Sequence, residues 1–483
     1  MIVQPERRFR AATNAYSLLP FRFTLLDEGR YVATNIAGEY CTISKQDLYD
    51  FIGKKLDPNS TLYTNLKAKH FLTDNGSTAP LLLLATKYRT KAEFLSDLTS
   101  LHLFVVTLRC NNRCVYCQAS RQCEDRQGFD MSRETADRAV EFMFRSPSSQ
   151  LKVEFQGGEP LLNFPLVQHI VSRARERGAA LGRPVEFVLC SNLSLLDENV
   201  LRFCDEHDVT LSTSLDGPKD LHNYNRPSPE FDSYVTTVNA IKRAMNHLGP
   251  GKVSALMTTT RRSLECPEAI VDEYVRRGFC SLFLRMLNPY GYAARTNPIT
   301  AYSTDEFLAF YQRALKYILE LNYAGVPFRE EYAAIILRKI LTPYSTGFVD
   351  LQSPAGAGLN VIAFHYDGNV YLSDEARMLA EMGDQRFRMG NLYENTYEEV
   401  MLDDGFLDLI SRTMTEGVPG CVDCAFQPYC GSDPIRHYRT QGDVVGHKAL
   451  SEFCRKHMAL YRFLIQTLED DAKAAAVLES WVY

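Results

Sequence analysis

The sequence predicts an α/β protein, an incomplete (βα)6 barrel with a small domain before it and another after it. Three observations lead there. From Leu101 to about Pro289, short apolar runs alternate with segments of helical period, which implies a parallel sheet. The candidate strands end in motifs bearing Cys, Gly and Asp, and in such sheets the chemistry sits at the carboxyl ends of the strands. The length, 483 residues, exceeds the roughly 100–200 of one domain, and 45% hydrophobic residues suffice for ordinary cores.

Residues 1–90 read as a small winged-helix-like unit. Its opening, MIVQPERRFR, lacks the apolar centre of a signal peptide. Arg30 to Ile36 reads as a strand and Asn35 to Gly38 as its turn. Ser44 to Ile52 reads as a helix, with Ser44 at its cap and Asp47 near the first turn. Helical pattern runs on from Leu62 to Phe71, and Asn75 to Pro80 reads as a linker.

The barrel spans 95–300. Its strands are expected at His102 to Leu108, Leu151 to Phe155, Val185 to Cys190, Val209 to Ser214, Val253 to Met257 and Leu282 to Met286. Between them lie amphipathic stretches such as Ser132 to Arg145, Leu166 to Arg177, Glu198 to Asp208, Ser233 to His247 and Pro267 to Arg277. Residues 301–350 read as a helical connector and 351–483 as a cysteine-bearing domain with a carboxyl-terminal helix.

Composition narrows the function. A net charge of -6 provides no basic surface for nucleic acid. No apolar stretch approaches the roughly 20 residues of a membrane span. Thirteen cysteines without an export signal point to the reducing cytoplasm, where clustered thiols read as metal ligands rather than disulfides.

Cys110, Cys114 and Cys117 form a CxxxCxxC triplet directly after the first barrel strand. Three thiolates can bind an iron–sulfur cluster and leave one iron open to a reactant, whereas clusters that only carry electrons normally take four. A zinc loop is the alternative, but zinc motifs usually pair a CxxC with a second pair, and only Cys123 lies close enough to serve as a fourth ligand. After the second strand comes Gln156-Gly157-Gly158-Glu159-Pro160, where adjacent glycines let a backbone approach a ligand closely, or simply make a tight turn. Asn192 ends the third strand, and Ser214-Leu215-Asp216-Gly217-Pro218, His222 and Arg226 follow the fourth.

The triplet, with Tyr116 before its last cysteine, resembles the cluster loop of the radical S-adenosylmethionine (SAM) superfamily. The resemblance implies a TIM-like radical SAM barrel in which SAM chelates the open iron of a [4Fe-4S] cluster. One electron, from a donor such as flavodoxin or ferredoxin, then splits SAM to a 5'-deoxyadenosyl radical that abstracts a hydrogen atom from substrate. It also implies that Gln156, Gly157, Gly158 and Glu159 hold the SAM amino group, as the family's GGEP motif does. Asn192, Ser214, Asp216 and Arg226 complete the expected SAM contacts, the guanidinium matching a carboxylate bidentately, although Asn192 lacks the glycine that usually follows it.

Cys421, Cys424, Cys430 and Cys454 are spaced as in the SPASM domain of peptide- and protein-modifying members, although a zinc ribbon would use similar spacing. Full SPASM domains have seven cysteines. Taking Gly368 as the hairpin glycine, the other three positions hold Ala355, Ser373 and Pro434, all from the inner auxiliary site. The resemblance thus implies two [4Fe-4S] clusters, one that binds SAM and one auxiliary, with the inner auxiliary cluster lost. In sulfatase-maturating relatives an aspartate at the position of Asp374 is thought to act as a base, and a solvated acidic turn is the other reading.

Tyr16 to Phe23, the Asn35 turn, the Ser373 to Arg377 segment and the degenerate cysteine set most resemble the B-type radical SAM maturase of His-Xaa-Ser peptide systems. This implies a ribosomally made precursor peptide as substrate, a small partner protein or second maturase, and an amino-terminal unit that grips a leader as an added edge strand. That unit can equally be a packing cap on the barrel. Two other classes stay open: a sulfatase-maturating-type side-chain oxidase that needs no leader, and a non-catalytic SAM-binding scaffold for a partner maturase.

Overall fold

The six barrel strands run parallel and neighbour one another in sequence order: Leu101–Thr107, Leu151–Gly157, Val185–Cys190, Val209–Ser214, Val253–Thr258 and Leu284–Arg285. The computed structural model describes residues 16–482 except Asn75, so the opening decapeptide and the first residue of the expected linker lie outside the described residues. The first strand is buried on both faces, as its apolar run LHLFVVT requires beneath crossover helices. Three of those helices start where a side chain accepts an orphan amide: Ser132 from Thr135, Asp197 from Val200 and Asp232 from Val235. Ile170, Val171 and Ala174 pack another crossover helix, Phe164–Leu181, onto the sheet and are fully buried.

The sixth strand departs from the expected Leu282 to Met286. It is two short pieces, Ser281–Leu282 pairing with Arg329–Glu330 and Leu284–Arg285 pairing with the end of the fifth strand. The break has a local cause: the Leu284 amide donates to the buried Glu330 carboxylate at 3.0 Å. On the opposite edge the sheet continues beyond the barrel. Val361–Phe364 pairs in parallel with Leu101–Phe104, and Asn369–Tyr371 and Arg388–Asn391 extend it antiparallel to nine strands. Gly368, at φ +87°, makes the turn between two of these strands.

The amino-terminal unit contains a three-stranded antiparallel sheet, Phe21–Leu25, Arg30–Asn35 and Tyr40–Ser44. Helix Lys45–Ile52 follows, capped by Ser44, which accepts from the Asp47 amide at 3.1 Å. The next helix is Thr61–Ala68, shorter than the expected Leu62 to Phe71. It stops because His70 takes a positive φ and Leu72–Asp74 leaves as a strand to pair with Tyr16–Leu18. Tyr16, Phe51, Tyr63, Leu66 and Phe71 make its separate small core.

Helices Thr304–Tyr323 and Glu331–Leu341 lead from the barrel to the carboxyl-terminal part, which ends in helices Glu452–Asp470 and Ala472–Ser480. Among the described residues no helix is long and apolar enough to cross a membrane.

Candidate active site

A cavity of about 560 Å³ opens at the carboxyl ends of the barrel strands, and Cys110, Cys114 and Cys117 all line it. Their loop is held by the rest of the barrel. The Cys110 amide donates to Gln122 O, Arg113 to Pro227 O and Val115 to Asn225 O. Arg109 is clamped by Asp130 through two contacts of 2.8 and 2.7 Å. Burial pushes the Cys110 thiol up and takes that of Cys114 to about 11, so metal binding has to drive their deprotonation. Cys123 is exposed and does not line the cavity.

Gln156, Gly157, Gly158, Asn192, Ser214 and Arg226 share the cavity wall with the triplet. The glycine pair has a stronger reason than ligand access. A Cβ on Gly157, at φ +144°, would stand 1.9 Å from Thr107 O, and one on Gly158 would stand 2.2 Å from Arg109 O. The second strand's end is pressed onto the backbone that leads into the cysteine loop, and only glycine permits that approach.

Glu159 and Asp216 lie behind the wall, fully buried, with their oxygens engaged by the protein. Glu159 accepts from the Leu161 amide, the Ser191 hydroxyl and the Asn192 amide, at 3.0, 2.7 and 2.8 Å. Asp216 accepts from the Tyr116 hydroxyl at 2.9 and 2.7 Å and from Arg226 Nε at 3.2 Å. His222, which burial lowers to about 4 and so keeps neutral, accepts from the Asp216 amide. These carboxylates thus hold together the residues that face the cavity. Asn192 ties the third strand to the cysteine loop, donating to Asn111 Oδ1 at 2.9 Å and Asn112 Oδ1 at 3.2 Å. Thr213 Oγ1 is buried in this wall without a hydrogen-bond partner.

The far wall holds residues that the sequence motifs do not mark. Phe283, Tyr332 and Phe348 form a three-ring group with centroids 5.4–6.1 Å apart. Asp350, Arg285, Glu375 and Lys456 are set around it. Asp374 lines the cavity, but its Oδ1 is held by the buried Arg377 at 2.8 and 2.7 Å. Its neighbour Glu375 is raised to about 7 by burial and by Asp350 and Asp374, with Arg285 3.6 Å away in opposition. Adjacency to Asp374 was the one available signal for Glu375; the aromatic wall comes from distant segments.

Cys421, Cys424, Cys430 and Cys454 come together outside the cavity. Burial and then the other three thiols raise Cys454 to about 12, which marks them as one neighbourhood. At the three positions where the resemblance expects further cysteines, Ser373 caps helix Asp374–Ala380, Pro434 opens helix Pro434–Gln441 and Ala355 is buried. Among the described residues no group of three or more His, Cys, Asp and Glu closes to the spacing of a single metal ion. Thiolates around a four-iron cluster stand further apart because iron and sulfide lie between them. Both cysteine sets therefore have the donor chemistry for a cluster, and the first also faces a cavity with room for a ligand.

Residues 104–272 match the family model described as Radical SAM superfamily. An uncharacterized protein of Methanocaldococcus jannaschii is 28% identical over 191 residues, 39% of this chain and 63% of the relative. This chain thus spans just under two thirds of the length of that archaeal relative. The cysteine-type anaerobic sulfatase-maturating enzyme of Clostridium perfringens is 23% identical over 380 residues, 74% of this chain and 94% of that enzyme. Among solved structures, native anSMEcpe with bound AdoMet superposes with a TM-score of 0.63 at 17% identity, covering 79% of this chain and 99% of that one. Streptococcus suis SuiB bound to precursor peptide SuiA gives 0.54 at 13% identity, covering 91% and 100%. The central barrel thus has the radical SAM α/β fold, and the chain is similar in sequence to a cysteine-type anaerobic sulfatase-maturating enzyme and in fold to SuiB.

Proposed function

We propose that this protein is a radical SAM peptide-modifying enzyme. The observation that carries the reading is the single cavity shared by Cys110, Cys114 and Cys117, the Gly157-Gly158 backbone, Asn192, Ser214 and Arg226. In this assignment the three thiolates would hold a [4Fe-4S] cluster which, with SAM bound and an electron donor such as flavodoxin or ferredoxin, would supply radical chemistry at the cavity. The chain's own residues position the reactants. Arg226, fixed by Asp216, presents its remaining donors to a carboxylate, and the Gln156 to Gly158 backbone offers polar groups to an amino group. The aromatic and charged far wall is left for the substrate.

The barrel assignment covers 95–300, with a connector at 301–350 and the auxiliary-cluster domain at 351–483. Within that domain Cys421, Cys424, Cys430 and Cys454 hold a second [4Fe-4S] cluster with no open iron. We assign the unit of residues 1–90 to leader recognition in a precursor peptide. The B-type maturase of His-Xaa-Ser systems is the subfamily that its motifs support, working in the cytoplasm with a small partner protein or second maturase. For the base, Asp374 is engaged by Arg377, so a basic role there requires that ion pair to open.

The test is anaerobic incubation with SAM, reductant and synthetic peptides encoded nearby, read by mass spectrometry. Wild type should form 5'-deoxyadenosine and shift the mass of one peptide. Replacing Cys110, Cys114 and Cys117 together by alanine should abolish deoxyadenosine, and its persistence would sink the assignment. SAM binding without any cleavage under reduction would instead make the chain a scaffold.

A further inference from the structure

The route between the cavity and the outer cysteines is continuous. Tyr332 lines the cavity, and its hydroxyl is hydrogen-bonded to His457 Nε2. The His457 ring lies 6.0 Å from that of Tyr332 and 6.0 Å from that of Tyr461, the latter pair stacked at 30°. The Tyr461 hydroxyl donates at 3.0 Å to the carbonyl of Tyr429, the peptide unit that leads directly into Cys430. All three side chains are buried, at 5, 0 and 0% exposure, so the path runs through protein rather than water.

Its chemistry is ordered. His457 Nδ1 stands 2.8 Å from Phe453 O, which can only accept, so that nitrogen carries the proton. Burial holds the imidazole neutral, which leaves Nε2 bare, and Tyr332 donates to it. His457 and Tyr461 sit one turn apart on helix Glu452–Asp470, which also carries Cys454.

We propose that Tyr332, His457 and Tyr461 form the electron bridge between the cavity and the outer cluster, in place of the missing inner cluster. The proposal rests on the two-cluster reading above. One electron passes along it. A substrate radical in the cavity is oxidised, one iron of the cluster on Cys421, Cys424, Cys430 and Cys454 is reduced, and no atom travels with the electron. The proton released by the substrate goes to a cavity carboxylate such as Glu375. Electron transfer weakens steeply with each unbridged gap, so a bonded and stacked chain is faster than the same span of aliphatic core.

The test needs no peptide. Anaerobically reconstituted full-length protein is reduced, freed of excess reductant, mixed with excess SAM and freeze-quenched. Deoxyadenosine is quantified and the outer-cluster signal is followed by electron paramagnetic resonance. SAM cleavage drains the cavity cluster irreversibly, so in wild type the outer signal should decay as a second wave of deoxyadenosine appears. In Tyr332→Phe and in His457→Leu that second wave should slow at least tenfold relative to the first. Iron content and circular dichroism are measured on the same samples. Equal decay in a folded variant with full iron overturns the bridge, as does an outer signal that never discharges in wild type. Tyr332→Phe keeps its ring, so it decides the matter if His457→Leu loses its fold. Absence of the first deoxyadenosine wave, or of iron at the outer site, would instead fail the underlying two-cluster reading.

Discussion

Gly158 shows that a glycine motif can answer to the protein's own backbone as well as to a ligand. In sequence the glycine pair pointed to close approach by a ligand. In the structure the nearer neighbours are Arg109 O and Leu108 O, the backbone leading into Cys110, at 2.2 and 2.5 Å from a hypothetical Cβ. Gly158→Ala must therefore push the cysteine loop away from the second strand, because backbone atoms cannot rotate aside. The expected outcome is loss of iron from the first site and at least a tenfold fall in deoxyadenosine. Iron analysis with a deoxyadenosine assay checks it, and full iron with reduced cleavage would return the glycine to ligand contact alone. Glu159 and Asp216 teach the same lesson, since a sequence shows that a carboxylate ends a strand but not whether its oxygens are already engaged by Ser191 or Tyr116.

Glu330 governs how the last barrel strand meets the connector. It is fully buried, accepts from the Leu284 amide and from the Ala333 amide at the start of helix Glu331–Leu341, and is hydrogen-bonded to Tyr311. Burial raises it to about 7 despite these donors. Between the ordinary carboxylate value and about 7 the folded protein then binds a proton that the unfolded chain has released. The contribution of this group to stability is therefore greatest at acid pH and declines as pH rises through that window. In Glu330→Gln that decline should be absent, so the wild-type minus variant difference in melting temperature should fall from pH 5 to pH 8. A difference independent of pH would show that Glu330 is ionised throughout. Legibility at this scale followed the range of the forces. The third and fourth strands, Val185–Cys190 and Val209–Ser214, fall where their apolar runs predict. The break at Leu284 and the pairing of Val361–Phe364 with the first barrel strand depend on partners remote in sequence, which periodicity does not register.

Across the whole molecule, the amino-terminal unit braces the outer cysteine loop. Arg22 donates to Val422 O and, at 2.9 Å, to Gln427 Oε1, while Thr34 donates to Ala425 O. From the other direction Tyr429 donates to Gly38 O at 2.7 Å, in the turn that the sequence placed at Asn35 to Gly38. The chain between Cys421 and Cys430 is thus held at four points by a unit some 400 residues earlier, and its own helical content is a single 3-10 turn, Gln427–Tyr429. A loop with so little structure of its own depends on these anchors to keep three thiols in one place. With one three-cysteine and one four-cysteine site, reconstituted full-length protein should hold about eight irons per chain. Deleting residues 1–90 should leave about four, because the outer site loses its brace while the barrel keeps its own core. Arg22→Ala combined with Tyr429→Phe should lower iron toward the same value in an otherwise folded chain, by iron analysis and circular dichroism. A leaderless side-chain oxidase makes the contrary prediction, full turnover after the deletion. If the truncated protein keeps about eight irons and its turnover, the amino-terminal unit is neither brace nor leader clamp. If it keeps the iron and loses only peptide modification, the unit serves the substrate alone.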